Sequence, residues 1–137
     1  MASLAFAFPL TPGKAKEWRS WGRGIVGRRR REYDAFRRRV GLTAQRVYLQ
    51  HTPQGDLAIF YLEGKDPHRA LQELAVSQDP FVVWFRQQAQ DLLEGLDWAQ
   101  ISLGSPSQLV FDGPSVEEDQ ARDRALYMME RLGETSP

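Results

Sequence analysis

Three stretches of the chain are apolar at alternating positions and also at the positions in between. They span residues 4–10, 45–51 and 56–63, and their apolar members include Leu4, Ala5, Phe6, Ala7, Phe8, Val47, Leu49, Leu57, Ile59, Phe60 and Leu62. Successive residues of a strand point to opposite faces of a sheet, so these stretches predict strands that need a cover on both faces. Two helices between the strands cover only one face. We expect either a partner's sheet or the chain's own C-terminal helix on the other.

Helical spacing follows the first strand. Trp18, Ile25 and Phe36 share one direction when residues are placed at intervals of about 100°, which predicts an amphipathic helix over residues 14–40. Three glycines between positions 22 and 27 weaken its middle, because each costs about 1 kcal/mol relative to alanine. The sequence therefore predicts a kink or break near them.

Local capping signals mark three further helix starts. In the pairs Asp66-Pro67 and Asp79-Pro80, the carboxylate accepts from free backbone N–H groups, and proline lacks the N–H that has no partner at the first helical position. Ser115 and Glu118 have the spacing of a capping box. We expect helices after residues 66 and 79 and a last helix from Ser115.

The order of elements predicts an α+β fold of the ferredoxin-like βαββαβ type. Residues 45–51 and 56–63 are expected to form a hairpin, residues 98–103 are ambiguous, and residues 108–112 are the expected fourth strand. Such a domain has a four-stranded antiparallel sheet with helices on one face. We assign it to residues 1–113, and residues 114–137 to an extra C-terminal helix of the same domain.

Length and composition exclude several classes of protein. A chain of 137 residues fits one domain with its own core. It has no cysteine, which excludes disulfides, thiolate metal sites and cysteine nucleophiles. No apolar run approaches the roughly 20 residues that span a bilayer, and the first residues predict a strand instead of a signal peptide. We expect a cytoplasmic protein.

The net charge of zero hides an uneven distribution. Residues 14–39 carry a charge of +8 and the remainder carries −8, with four consecutive arginines at Arg28–Arg31. This distribution indicates either a surface for anions or nucleic acid, or a basic helix that lies beside acidic ones.

Several local motifs resemble one known superfamily. They are Pro12-Gly13-Lys14 followed by Trp18 and Trp21, the strand end Tyr61-Leu62-Glu63-Gly64, and Ser77-Gln78-Asp79-Pro80-Phe81 leading into Trp84-Phe85. Over residues 3–112 the chain resembles small bacterial members, without assigned function, of the dimeric α/β barrel superfamily. The resemblance implies a homodimer whose sheets pack face to face. It leaves the chemistry open, because the superfamily includes cofactor-free monooxygenases, lactone isomerases, haem enzymes and proteins without known activity.

The candidate ligand-binding residues are Tyr48, His51, Tyr61 and Trp84. His51 ends the second strand, and the hairpin is expected to bring it near Tyr61 as a general acid or base with a hydrogen-bonding partner. The competing interpretation is structural: an exposed histidine beside a turn, a surface tyrosine, and tryptophan as part of the core.

Arg29 and Arg46 are the candidate anion-binding residues. Arg46 shares a strand face with Tyr48 and Gln50, and Arg29 lies near the apolar stripe of the first helix. Each arginine has a simpler interpretation, as a member of a surface ion pair or as a side chain whose stem lies on the core.

Other ligands have weaker support. The two histidines, His51 and His68, give no metal-binding spacing, and Asp66 is better explained as a helix cap, so we expect no metal and no cofactor. The third strand lacks the basic, glycine-punctuated signature of the RNA-recognition motif, so base stacking on the sheet is not favoured.

Three functions remain open at this point. The first is a homodimer that binds a small organic molecule in a cavity between the sheet and the helices. The second is a cofactor-free monooxygenase or isomerase with His51 as its base. The third is an interaction protein whose arginine-rich helix binds an acidic partner or nucleic acid, for which Arg28–Arg31 are the candidate residues.

Overall fold

A single antiparallel sheet of three strands organises the protein. The computed structural model describes residues 2–104 and 106–134, with the side chains of residues 102 and 134 excepted. The strands are β1 (Ala2–Pro9), β2 (Leu42–Thr52) and β3 (Gly55–Gly64), in the spatial order β1-β3-β2. The helices are α1 (Ala15–Val26), α2 (Arg30–Arg39), α3 (Pro67–Val76), α4 (Pro80–Leu92), α5 (Trp98–Leu103) and α6 (Val116–Glu134).

The strand register assigns each residue to one of two faces. Phe6 pairs with Phe60, and Val47 pairs with Phe60 from the other side, so these residues share the face that the helices cover. The intervening residues form what we call the open face. It consists of Ser3, Ala5, Ala7, Arg46, Tyr48, Gln50, Leu57, Ile59, Tyr61 and Glu63.

The predicted helix over residues 14–40 is two helices, with a break where the glycines predict it. A Cβ atom on Gly27 would lie 2.8 Å from the carbonyl oxygen of Arg23, closer than side chains approach backbone. The chain turns at this glycine, and α2 begins at Arg30. Trp18, Trp21 and Ile25 of α1 point into the core.

The capping predictions are confirmed. Asp66 accepts a hydrogen bond from the backbone N–H of Arg69 at 3.1 Å, and Asp79 accepts one from Phe81 at 2.9 Å. At α6 the Ser115 hydroxyl accepts from the Glu118 N–H at 3.0 Å, while Glu118 accepts from the Ser115 N–H at 3.2 Å. Local chemistry therefore sets where these three helices start.

The core lies between the covered face of the sheet and helices α1 to α5. Phe60 is its centre on the sheet, with a ring stacked on Phe6 at 4.8 Å and an edge contact with Trp18 at 5.8 Å. From the helices, Phe81 and Phe85 add buried rings. These residues place an aromatic layer directly above β3.

The predicted four-stranded ferredoxin-like sheet is wrong, because no fourth strand forms beside β1 in the part of the chain that the structure describes. After α4, Leu93 makes one isolated bridge to Leu10. Gly95 then turns the chain with φ = 72°, and Asp97 caps α5. The indole of Trp98 is buried there and donates to the Arg86 carbonyl at 3.2 Å. This turn directs the chain away from the sheet after the single bridge between Leu10 and Leu93.

The stretch predicted as the fourth strand, residues 108–112, has no regular structure. Leu109, Val110 and Phe111 are exposed there, Val110 by 93%. Just before it, the hydroxyl of Ser107 donates to the carbonyl of Ala5 in β1. The segment thus passes close to the edge of β1 without pairing along it.

The C-terminal helix predicted from Ser115 is present as α6, and residues 135–137 of the predicted extension lie outside the described residues. Among residues 116–133 every side chain is exposed except the half-buried Asp119. No helix in the described ranges combines the length and the apolar character needed to cross a membrane.

Candidate functional site

A cavity of about 490 Å³ lies between α1 and the edge of the sheet at β2. Its walls are mainly apolar, with Trp18, Trp21 and Ile25 from α1 and Val47 and Leu49 from β2. Phe85 of α4 and Tyr33 of α2 complete the inner wall. A mostly apolar concave site of this volume falls within the range of small-molecule pockets.

Two buried polar atoms at this cavity lack hydrogen-bond partners. Within the described part of the chain, neither the indole nitrogen Nε1 of Trp21 nor the amide oxygen Oε1 of Gln45 has one. Both residues line the cavity. Leaving a buried donor or acceptor unpaired costs about 1–3 kcal/mol, so native structures rarely keep one without a reason.

Packing against neighbouring rings holds the Trp21 indole, which carries the unpaired donor, in place. Trp21 stacks on Trp18 with centroids 4.4 Å apart and an interplanar angle of 16°, and it meets Phe85 at 4.9 Å. Both tryptophans are buried. The position of the Trp21 N–H is therefore fixed by rigid neighbours.

The acceptor side is fixed by the sheet. Gln45 pairs with Leu62 of β3, and alternation places its side chain on the covered face together with Val47 and Leu49. It is the polar member of an otherwise apolar series along β2. The backbone ladder thus holds the amide beside the cavity.

Arginines surround the mouth of the cavity. Arg19 and Arg23 contribute to its lining and are exposed, as are Val26 and Tyr48. Burial raises the pKa of Tyr33 above its ordinary value of 10.0, so its hydroxyl stays neutral at physiological pH. The lining contains no carboxylate. The site therefore suits a neutral molecule or one with a negative end.

The structure disperses the four predicted ligand-binding residues. Tyr48 alone lines the cavity, at the sheet edge. His51 and Tyr61 lie on opposite faces of the hairpin, because His51 pairs with Asp56 while Tyr61 pairs with Arg46. These pairs are five steps apart, or about 17 Å along the strand. The hairpin does not bring His51 and Tyr61 together.

His51 instead has an acidic partner near the turn. Its Nδ1 lies 2.6 Å from Oδ1 of Asp56, and the His51 side chain is 67% exposed. An imidazole held by a carboxylate is a common arrangement for a general base. Here, however, neither residue lines the cavity between α1 and β2.

Tyr61 belongs to a small polar group on the open face. Its hydroxyl donates to Oε2 of Glu63 at 2.5 Å, and the Arg46 guanidinium lies 5.9 Å from its ring centroid. The hydrogen bond to Glu63 raises the pKa of Tyr61 above 10.0. Arg46 thus has an aromatic neighbour on the open face.

Trp84 and Arg29 contact each other at the outer side of α4. The Arg29 guanidinium lies 4.0 Å above the Trp84 ring and 3.6 Å from Glu32. This cation–π contact explains how an arginine can sit near the apolar stripe of α1 and α2.

The run Arg28–Arg31 lies at the break between α1 and α2, so it does not form one continuous basic helix face. Two of its members have acidic partners: Arg29 pairs with Glu32, and Arg30 pairs with Asp34 at 3.2 Å. Arg28 and Arg31 are exposed. The described ranges contain no cluster of three or more metal-ligating side chains.

Sequence reasoning missed the two residues that distinguish the site. Trp21 stood out only as a residue of the motif that follows Pro12-Gly13-Lys14, and an unpaired indole N–H is visible only in three dimensions. Gln45 did have a signal, because it precedes Val47 and Leu49 with period two. A polar residue on an apolar strand face is an informative exception.

The fold and the cavity define a small α+β domain with one side of its sheet covered by helices and one uncovered. In comparisons with known proteins, the chain matches no family model, no curated protein and no solved structure. The resemblance to the dimeric α/β barrel superfamily stays a prediction.

Proposed function

We propose that this protein binds a small organic molecule in the cavity between α1 and β2. The observation that carries the proposal is the pair of unpartnered polar atoms, Trp21 Nε1 and Gln45 Oε1, on residues that line an apolar cavity of about 490 Å³. A bound molecule with its own donor and acceptor would supply both missing hydrogen bonds once the side chains that shield these two atoms move aside. The cost of leaving these atoms unpaired would then be recovered on binding.

The cavity chemistry narrows the class of ligand. A hydroxyl or a primary carboxamide both donates and accepts, so a ligand that carries such groups has a partner for the indole N–H and for the amide oxygen. The aromatic and aliphatic walls favour an apolar body, and the arginines at the mouth disfavour a cation. The expected ligand is therefore an aryl or alicyclic alcohol, phenol or amide.

A fragment screen tests this proposal directly. Phenols, aryl carboxamides and matched hydrocarbons are titrated against the protein, with tryptophan fluorescence and ligand-observed NMR as readouts. We expect phenols or carboxamides to bind and to change the fluorescence, because Trp18 and Trp21 both line the cavity. Hydrocarbons of the same shape should bind at least about tenfold more weakly, a difference of 1.4 kcal/mol.

Two valine variants locate the binding site. Val47→Phe adds bulk to the cavity wall and should weaken binding at least about tenfold, whereas Val76→Phe, at an exposed position of α3, should leave it unchanged. Equal binding by the parent protein and Val47→Phe would overturn the proposal. So would the absence of any binding fragment in a screen that covers these classes.

A further inference from the structure

Two apolar surfaces are left uncovered by residues 2–104 and 106–134, which the structure describes. The first is the open face of the sheet. Its centre consists of Leu57, Ile59 and Tyr61 on β3, which remain only half-buried, and Tyr48 on β2 is 53% exposed. A sheet face of this composition normally packs against another layer.

The second surface is a stripe along α6. Ala121, Ala125, Met128, Met129 and Leu132 fall within an arc of about 100° around the helix, and we call this set the α6 stripe. Every member is exposed, Leu132 by 66%. The other side of the helix carries Asp119 and Asp123 together with the exposed Leu126 and Tyr127. Most helical stability in proteins comes from packing of an apolar face against other elements, so α6 needs a surface to pack on.

We propose that two copies of this chain exchange their C-terminal helices, each placing its α6 stripe on the open face of the other's sheet. The dimensions of the two surfaces agree. The 19 residues of α6 extend about 28 Å, and the 10 residues of β3 extend about 33 Å. A helix about 10 Å wide fits over three strands that together measure about 14 Å across.

The area available favours helix exchange over contact between two bare sheets. Three strands of about eight residues offer roughly 370 Å², so two faces in contact would bury about 750 Å². This is less than the roughly 1,200 Å² of a small stable interface. Two helix-on-sheet contacts would bury about 1,500 Å², a standard size. The exchange thus covers both surfaces of both copies.

The surroundings of α6 support a second copy as the occupant. The connection before it is held at the edge of β1 by the bond from Ser107 to the Ala5 carbonyl, yet α6 does not lie on its own sheet. Charges also permit docking, since the open face carries one Arg46 and one Glu63, and Glu118 and Arg122 lie at the N-terminal end of the stripe. No block of like charge opposes the contact.

Two full-length variants test the exchange by complementation. Leu132→Glu disables the stripe, and Ile59→Glu disables the open face. In native mass spectrometry and light scattering the parent should be a dimer, with twice the chain mass of 15.7 kDa. Each variant alone should raise the dimer dissociation constant at least about tenfold. A mixture of the two should form heterodimers, because one intact stripe meets one intact face.

Tyr127→Glu is the matched control, since Tyr127 lies about 140° around the helix from Leu132 and should leave the dimer intact. The complementation also shows that Ile59→Glu remains folded, because it must supply a working α6. A monomeric parent would overturn the proposal. A dimer that tolerates Leu132→Glu would overturn it too and would indicate packing of sheet on sheet.

Discussion

Replacing Gln45 by leucine should make the protein more stable while removing its ability to bind ligand. The amide oxygen of Gln45 is buried without a partner, and such an atom costs about 1–3 kcal/mol. Leucine has a similar length and removes this cost. It also adds apolar surface beside Val47 and Leu49 on the covered face.

The expected gain in the free energy of unfolding is about 1–2 kcal/mol, the lower part of that range, because Gln45 as a whole is only half-buried. With an unfolding entropy of about 2.1 cal/mol/K per residue, the chain of 137 residues should gain roughly 3–7 °C in melting temperature. Urea denaturation and calorimetry of the free protein measure both quantities. The same variant should bind phenols or carboxamides at least about tenfold more weakly.

The control is Gln88→Leu, the same exchange at an exposed position of α4, which should change stability by less than about 0.5 kcal/mol. A loss of more than about 1 kcal/mol in Gln45→Leu would refute the reasoning, because it would mean that the amide is satisfied in the free protein. The polar pair would then no longer support a ligand site.

Two further predictions concern the backbone and the open face. Gly64→Ala should destabilise the protein by about 1–3 kcal/mol, because its Cβ would overlap the Gly41 carbonyl oxygen and lie 3.1 Å from the Leu42 Cα. Gly24→Ala should stabilise α1 by up to about 1 kcal/mol, because its Cβ would be 4.0 Å from Trp84. Urea denaturation that ranks the stabilities of the two variants the other way would contradict this prediction. Tyr61 should titrate above 10.0 because its hydroxyl donates to Glu63; the stabilisation it provides is complete below pH 10 and is lost as the pH rises through the raised pKa of the folded state. Ultraviolet absorbance of tyrosinate in the parent and in Glu63→Ala checks this, and an unchanged Tyr61 titration in the variant would exclude the hydrogen bond as the cause.

Signals contained within a few residues predicted the helices well. Asp66, Asp79 and Ser115 cap the helices whose starts they mark, because a cap needs only a side chain and the N–H groups that follow it. The break near Gly27 was predictable for the same reason. It depends on the low helix propensity of glycine and on the space beside the Arg23 carbonyl.

The fourth strand was not predictable from its own residues. Gln108–Asp112 alternates as a strand should, but a strand exists only where a neighbouring edge pairs with it. That pairing is decided elsewhere, at Gly95 and at the buried Trp98 of α5, which divert the chain after one bridge. The consequence is a bare edge at β1 and an apolar segment left in solvent.

In the candidate site, too, some features follow from nearby residues and others depend on distant parts of the chain. The position of Gln45 on the covered face follows from the two-residue period of β2. The lack of a partner for its oxygen, and for the Trp21 N–H, depends on where α1 crosses the sheet edge. The grouping of Tyr48, His51, Tyr61 and Trp84 into one site had no such basis, because a hairpin brings paired residues together and these four are not paired with each other.

Because the strands have apolar residues on both faces of the sheet, ligand binding and dimer formation can be tested separately. Along β2, Gln45, Val47 and Leu49 face the cavity, while Arg46 and Gln50 face the opposite side and Tyr48 reaches the cavity only at the sheet edge. A change at a cavity position and one at an open-face position therefore act on different layers, because successive residues of a strand point to opposite faces of the sheet. Val47→Phe should weaken ligand binding but not the dimer, and Ile59→Glu should weaken the dimer but not ligand binding. If both variants lost both properties, the sheet itself would have failed, and neither surface could be assigned a function from them.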